Sequence, residues 1–243
     1  MDANAQQPKT DLFHLSEIGQ VGNDIYQVRF EWPQGRPVPF SAGQYLAIHL
    51  PGRDPAWFSI ASAPGAEQLT LHIQAPPEWA SAHEVMEYLR HEGCARISMP
   101  YGEACLNEPP NSPLLLVVAG TGFAQAKSIV DYLRFSRMEQ PVTLYWGARD
   151  AGDMYLRGTA ERWEEAWPDF HFRPVVCEAD AASDCHHERL AEAILADGHD
   201  LGQVKVIASG SPAMVYSVLD GLTPAGFDPA RFHSDVLQYA PRD

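Results

Sequence analysis

The run Leu114-Leu115-Leu116-Val117-Val118-Ala119-Gly120-Thr121-Gly122-Phe123 limits the possible fold more than any other stretch of this chain. An unbroken apolar run fits a strand covered on both faces, because a strand with one wet face would alternate. The glycines that follow let the backbone turn tightly. A helix comes next, with Ala126, Ile129, Val130 and Leu133 at helical spacing. The pattern then repeats as strand Val142–Trp146, a helix near Thr159–Trp167, strand Phe172–Val176, helix Glu188–Leu195, strand Val204–Ala208 and helix Ala213–Leu222. Such alternation implies right-handed crossovers and a parallel sheet between two helical layers. Residues 112–243 are therefore expected to form a Rossmann-like α/β domain.

The first half reads differently. Asp24–Phe30 alternates apolar with polar residues, as a half-buried strand does, and Pro33, Gly35 and Pro37 punctuate the turn after it. Gln44–Leu50, the run ending at Trp57-Phe58-Ser59, and Leu69–Ile73 add further short strands. Close spacing of such strands suggests a closed antiparallel barrel or a sandwich over residues 10–108. One helix interrupts them: Ser81 is placed to cap a segment whose Val85, Met86 and Leu89 share a face. The breaker-rich Asn107–Pro113 reads as the linker between the halves.

Bulk properties remove several classes of function. The formal net charge of −15 disfavours nucleic acid and anionic membrane surfaces as partners. No apolar run reaches the roughly 18 residues of a membrane span. The polar start, Met1 to Gln7, lacks the order of a secretory signal, so a cytoplasmic location is expected. Cys94, Cys105, Cys177 and Cys185 form no CxxC pair and do not match the spacing of a plant-type iron–sulfur centre.

Ligands of a parallel sheet bind beyond the carboxyl ends of its strands. Gly120-Thr121-Gly122 and Phe123 stand at one such end, where close backbone approach and a helix N-terminus suit a pyrophosphate. Gln125 occupies the third glycine position of the usual fingerprint, and no acidic ribose acceptor follows about 20 residues on. Gly147 and Arg149 end the second strand, where they can hold an adenosine ribose or its phosphate, or simply form an exposed turn. Ser209-Gly210-Ser211-Pro212, with Met214 opening a helix, can present hydroxyls and amides to a carboxamide, or form an ordinary capped turn. No metal ligand set is expected: neighbouring histidines in Cys185-His186-His187-Glu188 diverge on a helix or a strand. Trp163 and Trp167 suit packing against the sheet, and Glu161, Glu164 and Glu165 a solvated helix face.

Taken in order, several stretches resemble a known family. They are Phe40–Leu46, Phe58–Ser62, Leu71–Ile73, Pro100–Ala104, Ala119–Phe123, Leu144–Arg149 and Arg231–Asp235. From about residue 12 onward the chain resembles the ferredoxin-NADP reductase-like flavoenzymes, and within them the bacterial NAD(P)H:flavin oxidoreductases. The resemblance implies a six-stranded antiparallel barrel for flavin, a second domain for NAD(P)H, and hydride transfer between the two cofactors. It places the isoalloxazine against Trp57, Phe58, Ser59, Ile60, Ala61 and Ser62, with Ser59 near its N5, and draws in His72, Ile73, Gln74 and Gly102. It places the nicotinamide near Thr121. Asp235 is expected to orient the Ser59 hydroxyl or a water, and Tyr239 to cover the flavin face.

Two departures bear on flavin retention. Ala56 stands where the family has an arginine for the flavin side chain, with Arg53 further upstream, and Pro76–Ser81 replaces a Gly-x-x-Ser turn. A third departure, Ser209 for a cysteine, bears on the nicotinamide. Without the fixed cation, FMN, FAD or riboflavin is expected to bind loosely. The leading expectation is a flavin reductase that supplies reduced flavin or electrons to a monooxygenase or other acceptor protein. Beside it stand an electron-transfer subunit that retains its flavin and docks an iron–sulfur or haem protein, and a non-catalytic nucleotide-binding module. NADH is slightly favoured over NADPH, because no second basic residue stands beside Arg149.

Overall fold

The computed structural model describes residues 7–136, 140–176 and 186–242; Cys177 and Cys185 lie outside the described residues. The first half folds as β1 (Lys9–Gly22), β2 (Ile25–Phe30), β3 (Tyr45–His49), β4 (Ala56–Ser59), β5 (Leu69–Gln74), α1 (Ala80–Glu92) and β6 (Cys94–Tyr101). Its strands form a six-stranded antiparallel sheet in the order β4-β3-β6-β1-β2-β5. A bridge between Ile60 and Leu71 joins the two edges, so the sheet closes into a barrel. Closure removes the free edges on which another chain could template.

β1 is what allows the barrel to turn its corner. Lys9–His14 pairs with β6, and Leu15–Gly22 pairs with β2. Because it changes partners midway and is exposed along much of its length, it lacks the alternation by which β2 is recognised. Phe13, Val28, Phe30, Leu46, Ile48, Ile60, Leu71 and Ile73 fill the barrel, and Val85, Met86 and Leu89 of α1 pack onto the same core. Ser81 does not cap this helix. Trp79 takes the capping position without a side-chain hydrogen bond, and Ser81 lies in the first turn.

The second half continues as β7 (Leu114–Ala119), α2 (Phe123–Phe135), β8 (Val142–Ala148), α3 (Arg157–Ala166), β9 (Phe170–Val176), α4 (His186–Ala196), β10 (Lys205–Ser209), α5 (Pro212–Leu222), β11 (Phe232–His233) and the short α6 (Val236–Tyr239). All five strands are parallel, in the order β11-β10-β7-β8-β9. Leu114, Leu116 and Val118 point into the core beneath α2 and α3, whereas Leu115 and Val117 point into the core beneath α4 and α5. Both faces of β7 are covered, which is why its sequence does not alternate. Trp163 is buried against the sheet, and Trp167 packs beside it. Glu164 departs from the solvated-face reading: its Oε1 accepts the Phe172 N–H at 2.9 Å and so ties α3 to β9.

Strand order reverses between β7 and β10, so the turns after these strands lie side by side. A Cβ on Gly122 would stand 2.1 Å from the Ser209 carbonyl oxygen. Only glycine permits that approach, and it brings the Gly-Thr-Gly turn and the Ser209-Gly210-Ser211 turn together at the mouth of the sheet.

Candidate functional site

The barrel and the parallel sheet face each other across a cleft of about 1200 Å³. Trp57, Phe58, Ser59, His72 and Gln74 line it from the barrel. Gly120, Thr121, Gly122 and Arg149 line it from the sheet, as do Ser209, Gly210 and Ser211. Asp235 and Tyr239 enter from the C-terminal segment, and His187 reaches the wall from α4. Among the described residues, Arg149 is the one Lys or Arg side chain on these walls.

Other residues singled out from the sequence stand away from the cleft. Ile60, Ala61 and Ile73 are buried in the barrel. Ser62 is occupied by structure, its Oγ accepting the Thr70 N–H at 3.1 Å and its carbonyl the Ser128 hydroxyl at 2.8 Å. Phe123 stacks on Trp146 with ring centroids 4.0 Å apart, and Met214 is buried in the first turn of α5. Gly147 pairs with Val175 inside the sheet. Pro212 opens α5, where its missing N–H costs nothing. Gly102, at φ +96°, makes room: a Cβ there would stand 2.8 Å from the Tyr45 ring and 3.0 Å from Asp235 Oδ1.

Asp235 does not reach toward Ser59 by any hydrogen bond. Its Oδ1 accepts the backbone N–H groups of Glu103 at 3.0 Å and Ala104 at 3.2 Å, so it ties the C-terminal segment to the barrel. Burial raises its carboxyl above the usual range, and the hydrogen bonds from Ala104, Glu103 and Gln125 offset part of that rise. His72, buried, is pushed down to about 3 by desolvation and by nearby Lys127, so its ring is neutral at physiological pH. Its Nδ1 lies 2.9 Å from the Tyr155 hydroxyl, which links β5 to the loop before α3. Burial raises the Tyr155 phenol, which keeps its proton. Neither Ser59 Oγ nor Thr121 Oγ1 hydrogen-bonds to another described residue, so both hydroxyls are free to meet a ligand.

Sequence reasoning missed Tyr45 and Trp79 on the barrel wall. Tyr45 pairs directly across from Ser59, a proximity that appears only once the β3–β4 register is known. Its ring stacks on Tyr101 at 5.9 Å, and Trp57, 53% exposed, sets its edge against both. The wall is therefore aromatic, uncharged and partly open to solvent, as suits the face of a planar heterocycle.

A closed antiparallel barrel is joined to a parallel sheet whose strand order reverses at the cleft, the place where such sheets take their ligands. Residues 116–220 match the family model described as an oxidoreductase NAD-binding domain. The chain is 36% identical over 202 residues to an NAD(P)H-flavin reductase of Vibrio harveyi, covering 81% of this chain and 84% of that protein. It is 31% identical over 220 residues to reductase component 2 of the terephthalate 1,2-dioxygenase of a Comamonas species, covering 90% of this chain. There the chain spans 65% of the relative's length. In fold it is similar to a ferredoxin-NADP+ reductase from Plasmodium falciparum, with a TM-score of 0.76, 14% identity, and coverage of 92% of this chain and 94% of that one. The chain belongs to the NAD(P)H-flavin reductase family.

Proposed function

We propose that the chain is an NAD(P)H-dependent flavin reductase, moving a hydride from a nicotinamide to a loosely held flavin. The observation that carries this reading is the cleft itself, in which the aromatic barrel wall around Ser59 faces the paired glycine turns of the sheet. When bound there, the nicotinamide supplies the hydride and the isoalloxazine accepts it, and neither needs an acid or base of high strength. What remains for the protein is positioning, which supplies much of the barrier reduction when two reactants are held at contact. Phe58 and Trp57 would hold one ring, and Gly120–Gly122 with the Ser209 turn would hold the other from the opposite side. Ser59 Oγ would donate to the ring that gains charge, and Thr121 would steady the nicotinamide. Tyr239, 65% exposed at the mouth, would cover the flavin until the dinucleotide arrives.

Weak flavin retention is supported by the absence of a Lys or Arg from the described barrel wall. Ala56 lies in β4 without a charge to offer, and Arg53 is paired with Glu84 at 3.0 Å outside the cleft. NADH over NADPH is supported by the surroundings of Arg149. The next residue, Asp150, caps a turn with its carboxylate, and Asp153 completes the capping box, so two acids follow Arg149 closely and would oppose a further anion beside it. Partner and location extend the same reading. The matched Comamonas protein is a reductase component of a dioxygenase, which supports an oxygenase or other acceptor of reduced flavin or electrons. Among the described residues no helix is long and apolar enough to cross a membrane, consistent with activity in the cytoplasm.

The test is steady-state oxidation of NADH and NADPH by desalted protein with riboflavin, FMN and FAD in turn. Colourless protein that turns over with added flavin is expected. Colour retained through desalting would favour the electron-transfer subunit, and no oxidation with any flavin would remove the enzymatic reading.

A further inference from the structure

Gln125 is 3% exposed, in the first turn of α2, where the glycine fingerprint would have its third glycine. Its Nε2 donates to the Gly43 carbonyl at 2.8 Å and to the Ala104 carbonyl at 2.8 Å, both on the barrel, and stands 3.5 Å from Asp235 Oδ2. A primary amide carries two N–H hydrogens and one carbonyl oxygen, so the two short bonds to barrel carbonyls take most of its donor capacity, and the longer contact with Asp235 shares what is left. The two carbonyls also settle which way the amide faces. Turned over, it would set Oε1 against two carbonyl oxygens and leave all three without a donor.

Oε1 therefore points away from the two carbonyls. It accepts no hydrogen bond from any described residue, yet it is not among the sealed, unpartnered polar atoms, and Gln125 lines the cleft. A nearly buried acceptor left unpaired on a cleft wall is matched by a ligand that brings an N–H.

We propose that Gln125 Oε1 accepts the carboxamide N–H of the nicotinamide, making Gln125 a specificity and positioning residue. This rests on the dinucleotide reading above. Gln125 lies in the helix turn that follows Gly120–Gly122 and stands beside Asp235, on the sheet side of the cleft. One side chain then grips the barrel with its nitrogen and the dinucleotide with its oxygen. The nicotinamide ring is thereby registered against the barrel wall that carries Ser59.

The test compares NADH with its 3-acetylpyridine analogue, in which a methyl group replaces the carboxamide NH2, in the parent protein and in Gln125→Met. Gln125→Met should lower kcat/KM for NADH by roughly tenfold relative to the analogue, the worth of one neutral hydrogen bond. A purely structural role would lower both alike, and that result overturns the proposal. A binding measurement on the parent protein stands beside it: the thionicotinamide analogue, which keeps the NH2, should bind like NADH and more tightly than the 3-acetylpyridine analogue. Absence of that preference would contradict the assignment even if Gln125→Met fails to fold. If Gln125→Met instead changes selectivity for N3-methylriboflavin against riboflavin, the oxygen serves the flavin and the assignment is wrong. A parent protein that oxidises neither dinucleotide overturns the enzymatic reading and this inference with it; an active parent with an unchanged ratio in Gln125→Met overturns this inference alone.

Discussion

The two walls of the cleft are built by opposite means. The barrel wall uses large side chains, Tyr45, Trp57, Phe58 and Trp79, and presents no Lys or Arg among its described residues. The sheet wall uses backbone, with Gly120–Gly122 and Ser209–Ser211 pressed together and Arg149 at the edge. Aromatic faces on a barrel bind a flat ring through area and slide tolerantly, because they impose little direction. Backbone amides at a strand–helix turn impose direction and admit almost no change of shape. A wall of the first kind suits a flavin that comes and goes; a wall of the second kind suits a dinucleotide that must be placed accurately each time.

The contrast predicts that the sheet wall is the less tolerant of change. Gly122→Ala should lower kcat/KM for NADH by roughly 100-fold or more, because a displacement near 1 Å suffices for such a loss. Steady-state kinetics with saturating riboflavin would check this, and a loss under threefold would mean that the two turns need not touch. On the barrel wall, Ser59→Ala should reduce kcat by roughly 10- to 100-fold, in the manner of a lost donor to developing charge. Riboflavin KM should move little, and the reverse split would make Ser59 a binding residue only.

His72 sharpens the comparison through stability. Its folded pKa of about 3 lies below the unfolded value near 6.5. The unfolded chain therefore takes the proton first, and stability is lost as the pH falls from 6.5 toward 3. The slope from this one group is about 1.4 kcal/mol per pH unit. Urea unfolding across that range should be flatter in His72→Gln by one proton's worth, and an unchanged slope would mean that His72 titrates normally. The smallest effect belongs to phosphate: kcat/KM for FMN and riboflavin should agree within about threefold, since one distant cation is worth little in an exposed site. A large preference for FMN would reveal a phosphate contact on the barrel.

Much of this was legible in the residues, and the reasons differ by region. β7 and the alternating elements after it announce themselves because both faces of a parallel strand are apolar and each helix carries one apolar stripe. β1 was not singled out, because a strand that changes partner at His14 and Leu15 has no single inward face. β11, two residues long, carries too little pattern to register. Within the site, Ser59 and the Gly-Thr-Gly turn are local signals. Tyr45 and Gln125 are not: the first depends on strand register, the second on which carbonyls the barrel sets beside α2. Asp235 stands out in the sequence as a partner for Ser59 or a water; only the folded chain brings the amides of Glu103 and Ala104 to its carboxylate.

The most direct test of the two-walled cleft is anaerobic stopped-flow mixing of protein and riboflavin with NADH deuterated at the transferred C4 position. The account predicts a transient long-wavelength charge-transfer absorbance as the rings stack, then flavin bleaching slowed by a primary isotope effect. Bleaching without that absorbance and insensitive to deuterium, or no bleaching at all, would contradict the claim that the walls bring two heterocycles face to face.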